Sequence, residues 1–374
     1  MAHLNGHATS NAFPDAPPSV FLPKAPVEED GAQSAQAQDR DARRKAPGGE
    51  DNGARPGEWA QVFELARKHL DRCVALEPKV LHGDDPDAIH DLRVATRRLQ
   101  QVIDLIHPSP HSGDIRKLYR GLKRCRSSLS EIRNYDVLLA KVDAALGRKR
   151  TARREAWEAI GEYLRGLRSV RMEKSLRKLA KANLSSIYVR LKEFLPSNGT
   201  SGDVPGNSSG NGAERHLEAE QFYERVADAL KTVWAELEQQ IARSRHERDA
   251  SVLHHTRVAA KRARYLIEAV QACEAPGSRE VLIWLRSLQS QLGHWHDRVV
   301  FEEYVLGMLA DRDFLRDHLE MAIQIERLMM ANRAAKSKLE KKYVELVRDR
   351  TGFLKAREWV RQMVDSPATL FAGS

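Results

Sequence analysis

AIHDLRVATRRLQQVIDLI, residues 88–106, returns in altered form as VLHHTRVAAKRARYLIEAV at residues 252–270. In this register His90 stands opposite His254, Arg93 opposite Arg257, Arg97 opposite Lys261 and Arg98 opposite Arg262. On a wheel turning about 100° per residue, with His90 at zero, Arg93 falls at about 300°, Arg97 at about 340° and Gln101 at about 20°. Ala95, Leu99, Val102, Ile103 and Ile106 gather between about 120° and 220°, on the far side. In the second copy His254, Arg257, Lys261 and Arg264 share a sector of about 80°, with Ala259, Ala263, Leu266 and Val270 facing away. Each stretch therefore predicts a helix that packs along one side and aligns cations along the other.

A second matching pair lies downstream: LSEIRNYDVLL (129–139) against LGHWHDRVVF (292–301). Leu129 aligns with Leu292, Arg133 with His296 and Asn134 with Asp297, while the helix from Lys117 to Arg126 places Lys123 opposite Arg286. A period on the order of 160 residues fits a duplicated domain rather than a solenoid of short units.

Outward from the motif, apolar residues recur three and four apart from Trp59 to Leu195 and from Glu214 to about Asp365. Val62, Leu65, Ala66, Leu70, Cys73 and Leu76 form one such stripe; Phe222, Val226, Leu230, Trp234 and Leu237 form its counterpart. Neither strand alternation nor an Asn-Gly hairpin signal interrupts them. The expectation is an all-α protein in two halves, 58–195 and 214–365. Residues 1–57 carry seven prolines and little apolar surface, which predicts a disordered tail. PSNGTSGDVPGNSSGNG, starting at Pro196, reads as a flexible linker reaching residue 213.

Charge gives the function class. The 374 residues hold 61 Lys plus Arg against 52 Asp plus Glu, a formal net charge of +9, which predicts a polyanionic partner. Cations three and four apart on a helix repel one another by a few tenths of a kcal/mol per pair. Asp91 projects to about 100°, off the stripe. A bound anion accounts for such a row better than solvent does, and a merely solvated face has no reason to repeat the same His-x-x-Arg spacing. Three cysteines without a CxxC pair argue against a disulfide scaffold or a cysteine zinc site and fit a reducing compartment. No apolar run approaches the ~20 residues of a membrane span, and the start lacks the compact apolar stretch of a secretory signal, so a cytoplasmic location is expected.

Other chemistries fit less well. Nucleic-acid binding is compatible with the basic balance. However, aromatics make up only 6% of residues and none interleaves with the first basic stripe, which disfavours base stacking. His254-His255 and His294-x-His296 suggest a metal-dependent phosphohydrolase, but the flanking arginines repel a divalent cation and no Asp/Glu cluster accompanies them. The stretch from Thr151 to Leu195 reads as one long helix whose Arg165, Arg168, Arg171, Lys174, Lys178 and Lys181 pair locally with Glu162 and Glu173, outside the site. Trp157, Trp234, Trp284, Leu328, Met329 and Met330 read as core.

In HDLRVATRRL, HHTRVAAKRARYLIE, EIRNYDVLL and QLGHWHD the chain resembles the CHAD family, the conserved histidine α-helical domain, over residues 58–365. The resemblance implies two helical-bundle halves related by a pseudo-twofold, a basic central channel, and non-catalytic binding of inorganic polyphosphate with association to polyphosphate granules. It calls for no cofactor or metal. The implied ligand residues are His90, Arg93, Arg97 and Lys123 in the first half and His254, Arg257, Lys261, Arg264 and Arg286 in the second. Arg133 and His296 extend the signature, and Arg98 and Arg262 flank it. Three positions depart from the family pattern: Gln100 replaces an Arg, Ser130 a turn Gly and Asn134 an Asp, whereas the second half keeps Arg264, Gly293 and Asp297. Some family members carry a triphosphate-hydrolysing domain; no segment of this chain matches one.

Overall fold

A computed structural model describes residues 58–82, 85–107, 113–194, 212–247, 249–348 and 350–366. The expected tail, 1–57, and linker residues 196–211 lie outside the described residues. The first half comprises α1 (Glu58–His82), α2 (Pro86–Ile106), α3 (Gly113–Ser128), α4 (Ser130–Leu146), α5 (Arg154–Ala182) and α6 (Leu184–Phe194). The second comprises α7 (Gly212–His246), α8 (Ala250–Ala272), α9 (Ser278–Leu309), α10 (Arg312–Asp317), α11 (Leu319–Arg348) and α12 (Arg350–Asp365). No strand occurs among the described residues; the protein is all-α. Gly212 and Ala213, read as linker, are the first residues of α7.

Packing repeats in the same order on both sides of the linker. In the first half α1 lies on α2, α4 on α5, and α6 against α1 and α3; in the second α7 lies on α8, α9 on α11, and α12 against α7 and α9. The single helix α9 thus does the work of α3 and α4 together. The halves meet through α2 against α8, α4 against α9 and α5 against α11. Their apolar faces form one continuous core. Leu99, Val102, Ile103 and Ile106 of α2, and Ala259, Ala263, Leu266 and Val270 of α8, are all buried in it. Each fully buried large aliphatic side chain contributes roughly 1.5–3 kcal/mol, so packing of this face rather than intrinsic propensity holds the helices.

The long helix expected over 151–195 is two. Asn183 takes a left-handed conformation (φ 50°), which its short polar side chain tolerates. Its N–H closes α5 on the Ala180 carbonyl at 3.2 Å, and its Oδ1 accepts from the Ser186 N–H at 3.0 Å to open α6. Three of the basic residues of α5 turn to α4, Arg168 pairing with Asp136 at 2.7 Å, Arg171 with Glu131 at 3.0 Å and Arg165 with Asp143 at 3.9 Å, whereas Glu173 pairs locally with Arg177 and Glu158 with Arg154. Trp234, Trp284, Leu328 and Met329 are buried as expected, but Met330 is 60% exposed. Cys73, Cys125 and Cys273 are free and buried, and burial pushes the Cys73 and Cys125 thiols up to about 12. No helix among the described residues is long and apolar enough to cross a membrane.

Candidate functional site

The two motif helices begin alike. Asp85 caps α2, its side chain accepting from the Asp87 and Ala88 N–H groups at 2.9 and 3.0 Å, with Pro86 in the first turn. Asp249 caps α8, accepting from the Ser251 N–H. Each aspartate satisfies helix-end donors and stabilises the positive end of its helix dipole. In the repeat register Asp85 and Asp249 are equivalent, each five residues ahead of its histidine, so the caps fix where both cation rows start.

Those rows do not face solvent. His90, Arg93 and Arg97 on α2 and Arg257 and Lys261 on α8 are buried, with Arg93 and Arg257 among the largest fully buried side chains of the molecule. Burying charge is costly unless partners or a ligand compensate. Arg93 Nη1 donates to the Arg126 carbonyl at 2.7 Å and to Ser130 Oγ at 2.6 Å. Arg257 shares a small cleft with Arg133, Asn134 and Asp297, where α4 meets α8 and α9. Burial raises the Asp297 carboxyl above its ordinary value, against the pull of Arg257, His294, Lys141 and Lys261.

A half-open groove of about 820 Å³ runs between α2–α3 and α7–α8. Arg97 and Lys261, which match in the repeat, both line it, as does Arg262. Two further cations in it were not among the expected ligands. Arg126 donates through Nη1 to Gln100 Oε1, and Arg225 donates through Nη1 to the Ile106 carbonyl at 2.6 Å, tying α7 to the last turn of α2. Carboxylates of Asp104, Glu224 and Asp228 stand among them. A second cavity of about 230 Å³ is lined by Arg98, Arg286, His69 and Glu268. The flanking cations are matched by acids: Arg98 lies 3.3 Å from Glu268, Arg264 3.0 Å from the same carboxylate, and Arg262 2.8 Å from Glu236.

The histidines sit beside these rows. The rings of His254 and His296 are 5.4 Å apart, centre to centre. Burial, reinforced by the charges of Arg257, His254 and Lys261, holds His296 well below its ordinary value, so it is neutral at neutral pH. Lys123 is exposed on α3 and lines none of the three cavities. The structure thus brings Arg97, Lys261 and Arg262 to one groove, Arg98 and Arg286 to a second cavity, and Arg133 and Arg257 to a cleft. Among the described residues no group of three or more His, Cys, Asp or Glu side chains is placed to hold a metal ion.

A family model of the CHAD domain matches residues 64–306, well over half of the chain. The chain belongs to the CHAD domain family. Among solved structures it is similar to the crystal structure of the CHAD domain from the plant Ricinus communis, with 18% identity over 84% of this chain and 96% of that chain and a TM-score of 0.53. A second similar structure is PptA from Streptomyces chartreusis, with 13% identity over 76% of this chain and 99% of that chain and a TM-score of 0.47. No curated protein matches the sequence. At these identities the plant CHAD domain supports the fold alone. The grooves and their cations are properties of this CHAD domain's own residues.

Proposed function

We propose that this CHAD domain binds inorganic polyphosphate in the groove between its halves, without catalysing its breakdown. The observation that carries the reading is that Arg97 and Lys261, equivalent in the two copies, line one groove of about 820 Å³. Membership of the CHAD family supports it further. The ligand is a linear chain of phosphates with charge on every unit. Guanidinium groups bridge its oxygens with paired donors, and lysine adds a compact point charge.

In this reading Arg97, Arg126, Arg225 and Lys261 grip the chain along the groove. Arg93, Arg133 and Arg257 form the buried positive field beneath it, with His90, His254 and the neutral His296 beside them, and Arg98, Arg264, Arg286 and Arg262 continue its edges. The two halves close around the chain as a pseudo-twofold basic channel. A cytoplasmic protein of this kind is drawn to polyphosphate granules.

Calorimetric titration with polyphosphate of defined length tests the site. Replacing Arg97 and Lys261 together by Gln removes two charge-assisted contacts worth roughly 1.5 kcal/mol each, which predicts about a hundredfold weaker binding. Undiminished binding in that variant, with its helix content intact, overturns the site. Displacement of bound polyphosphate by excess RNA would favour a nucleic-acid partner instead. Phosphate release by the purified protein with Mg²⁺ or Mn²⁺ would overturn the non-catalytic reading.

A further inference from the structure

Tyr265 lines both the large groove and the second cavity, and so forms the wall between them. Its buried ring sits beside two guanidiniums, from Arg97 at 5.8 Å and Arg264 at 4.6 Å. Glu268 follows three residues later on α8, on the same helix face. Its Oε1 accepts from Arg264 Nη1 at 3.0 Å, and its Oε2 lies 3.3 Å from Arg98 Nε on α2. One carboxylate therefore spans the seam between the halves and occupies two cations at the point where the groove gives way to the cavity of Arg98 and Arg286.

A carboxylate and a phosphate compete for the same face of a guanidinium, since both offer paired oxygens to its planar donors. A short anion is accommodated in the larger groove without touching Glu268. A long chain that runs on toward Arg98 and Arg286 has to exchange its oxygens for those of Glu268. We propose that Glu268 is a tethered counter-ion which a linear polyphosphate must displace to cross the Tyr265 wall, so that the seam sets how strongly binding depends on chain length. The proposal rests on the polyphosphate reading above and adds the residue that governs length preference.

The test compares triphosphate with polyphosphate of about a hundred units by calorimetry, in the full chain and in Glu268→Gln. Freed of the competing charge, the variant is expected to raise the ratio of long-chain to triphosphate affinity about fivefold, with Glu268→Ala doing the same should the amide disturb folding. A ratio unchanged or lowered in both variants overturns the proposal, because Glu268 would then be holding the halves together rather than competing for them. If the unaltered protein binds neither ligand, the polyphosphate reading itself fails. If it binds long chains and the ratio does not rise, only the role of Glu268 fails.

Discussion

The two halves place an arginine and a glutamine in opposite order. In the second half Arg264 stands on the motif helix and Gln289 on the helix behind it; in the first, Gln100 occupies the place of Arg264 and Arg126 that of Gln289. The outcomes differ: Gln100 Oε1 accepts from Arg126, which lines the groove, whereas Arg264 donates to Glu268 and does not line it. A second inversion surrounds the buried arginines. Arg257 shares its cleft with the carboxylate of Asp297, whereas Arg93 reaches a helix-end carbonyl and the Ser130 hydroxyl, and Asn134 replaces the acid. The continuous α9 corresponds to a helix broken at Leu129. The two halves thus differ in which residue carries the charge and in what that residue meets.

The largest expected effect tests a cation at the seam that burial disfavours. Lys141 stands where the second half has Tyr304. Its Nζ lies 3.6 Å from the centre of the Phe301 ring and donates to Asn332 Oδ1 at 3.0 Å. Burial, with help from Arg298, pushes its ammonium from 10.5 down to about 7. Between those values the unfolded chain holds a proton that the folded chain does not, so stability rises with pH across that interval. Lys141→Met should therefore stabilise the protein by about 3 kcal/mol at pH 6–7, with the gain shrinking as pH climbs toward 10. Denaturant titrations at several pH values check this, and a gain indifferent to pH refutes it.

A smaller effect is expected at the break. Ser130→Ala removes an acceptor from buried Arg93 and should cost about 1–2 kcal/mol. A double-mutant cycle with Arg93→Met should show coupling of about 1 kcal/mol. Additive effects would mean that the first half does not hold its arginine through the hydroxyl. The smallest effect sharpens the exchange itself: Arg126→Gln should weaken polyphosphate binding about threefold, and adding Gln100→Arg should restore it by recreating the second half's order. Failure of the restoring substitution would show that the two arrangements are not equivalent.

The all-α fold was legible because it rests on helical period, a property of residues close in the chain. That Arg97 and Lys261 share a groove was implied by the resemblance to the CHAD family, not by register alone. Arg126 and Arg225 were not legible, since one depends on a glutamine 26 residues away and the other comes from α7, which carries no motif. Glu268 gave half a signal: it is four residues from Arg264, but its contact with Arg98 crosses the seam. The break at Leu129 has no proline or glycine to announce it. Its cause is a run of serines, with Ser127, Ser128 and Ser130 returning hydrogen bonds to the carbonyls of Arg124, Cys125 and Arg126, a habit that bends helices. Asn183 was visible only as a residue permitted in the left-handed region, not as one that uses it.

Because α2 and α3 form one bank of the large groove and α7 and α8 the other, each bank is written in a different copy of the repeat. In the polyphosphate reading, a substitution on one bank leaves the opposite bank's cations in place.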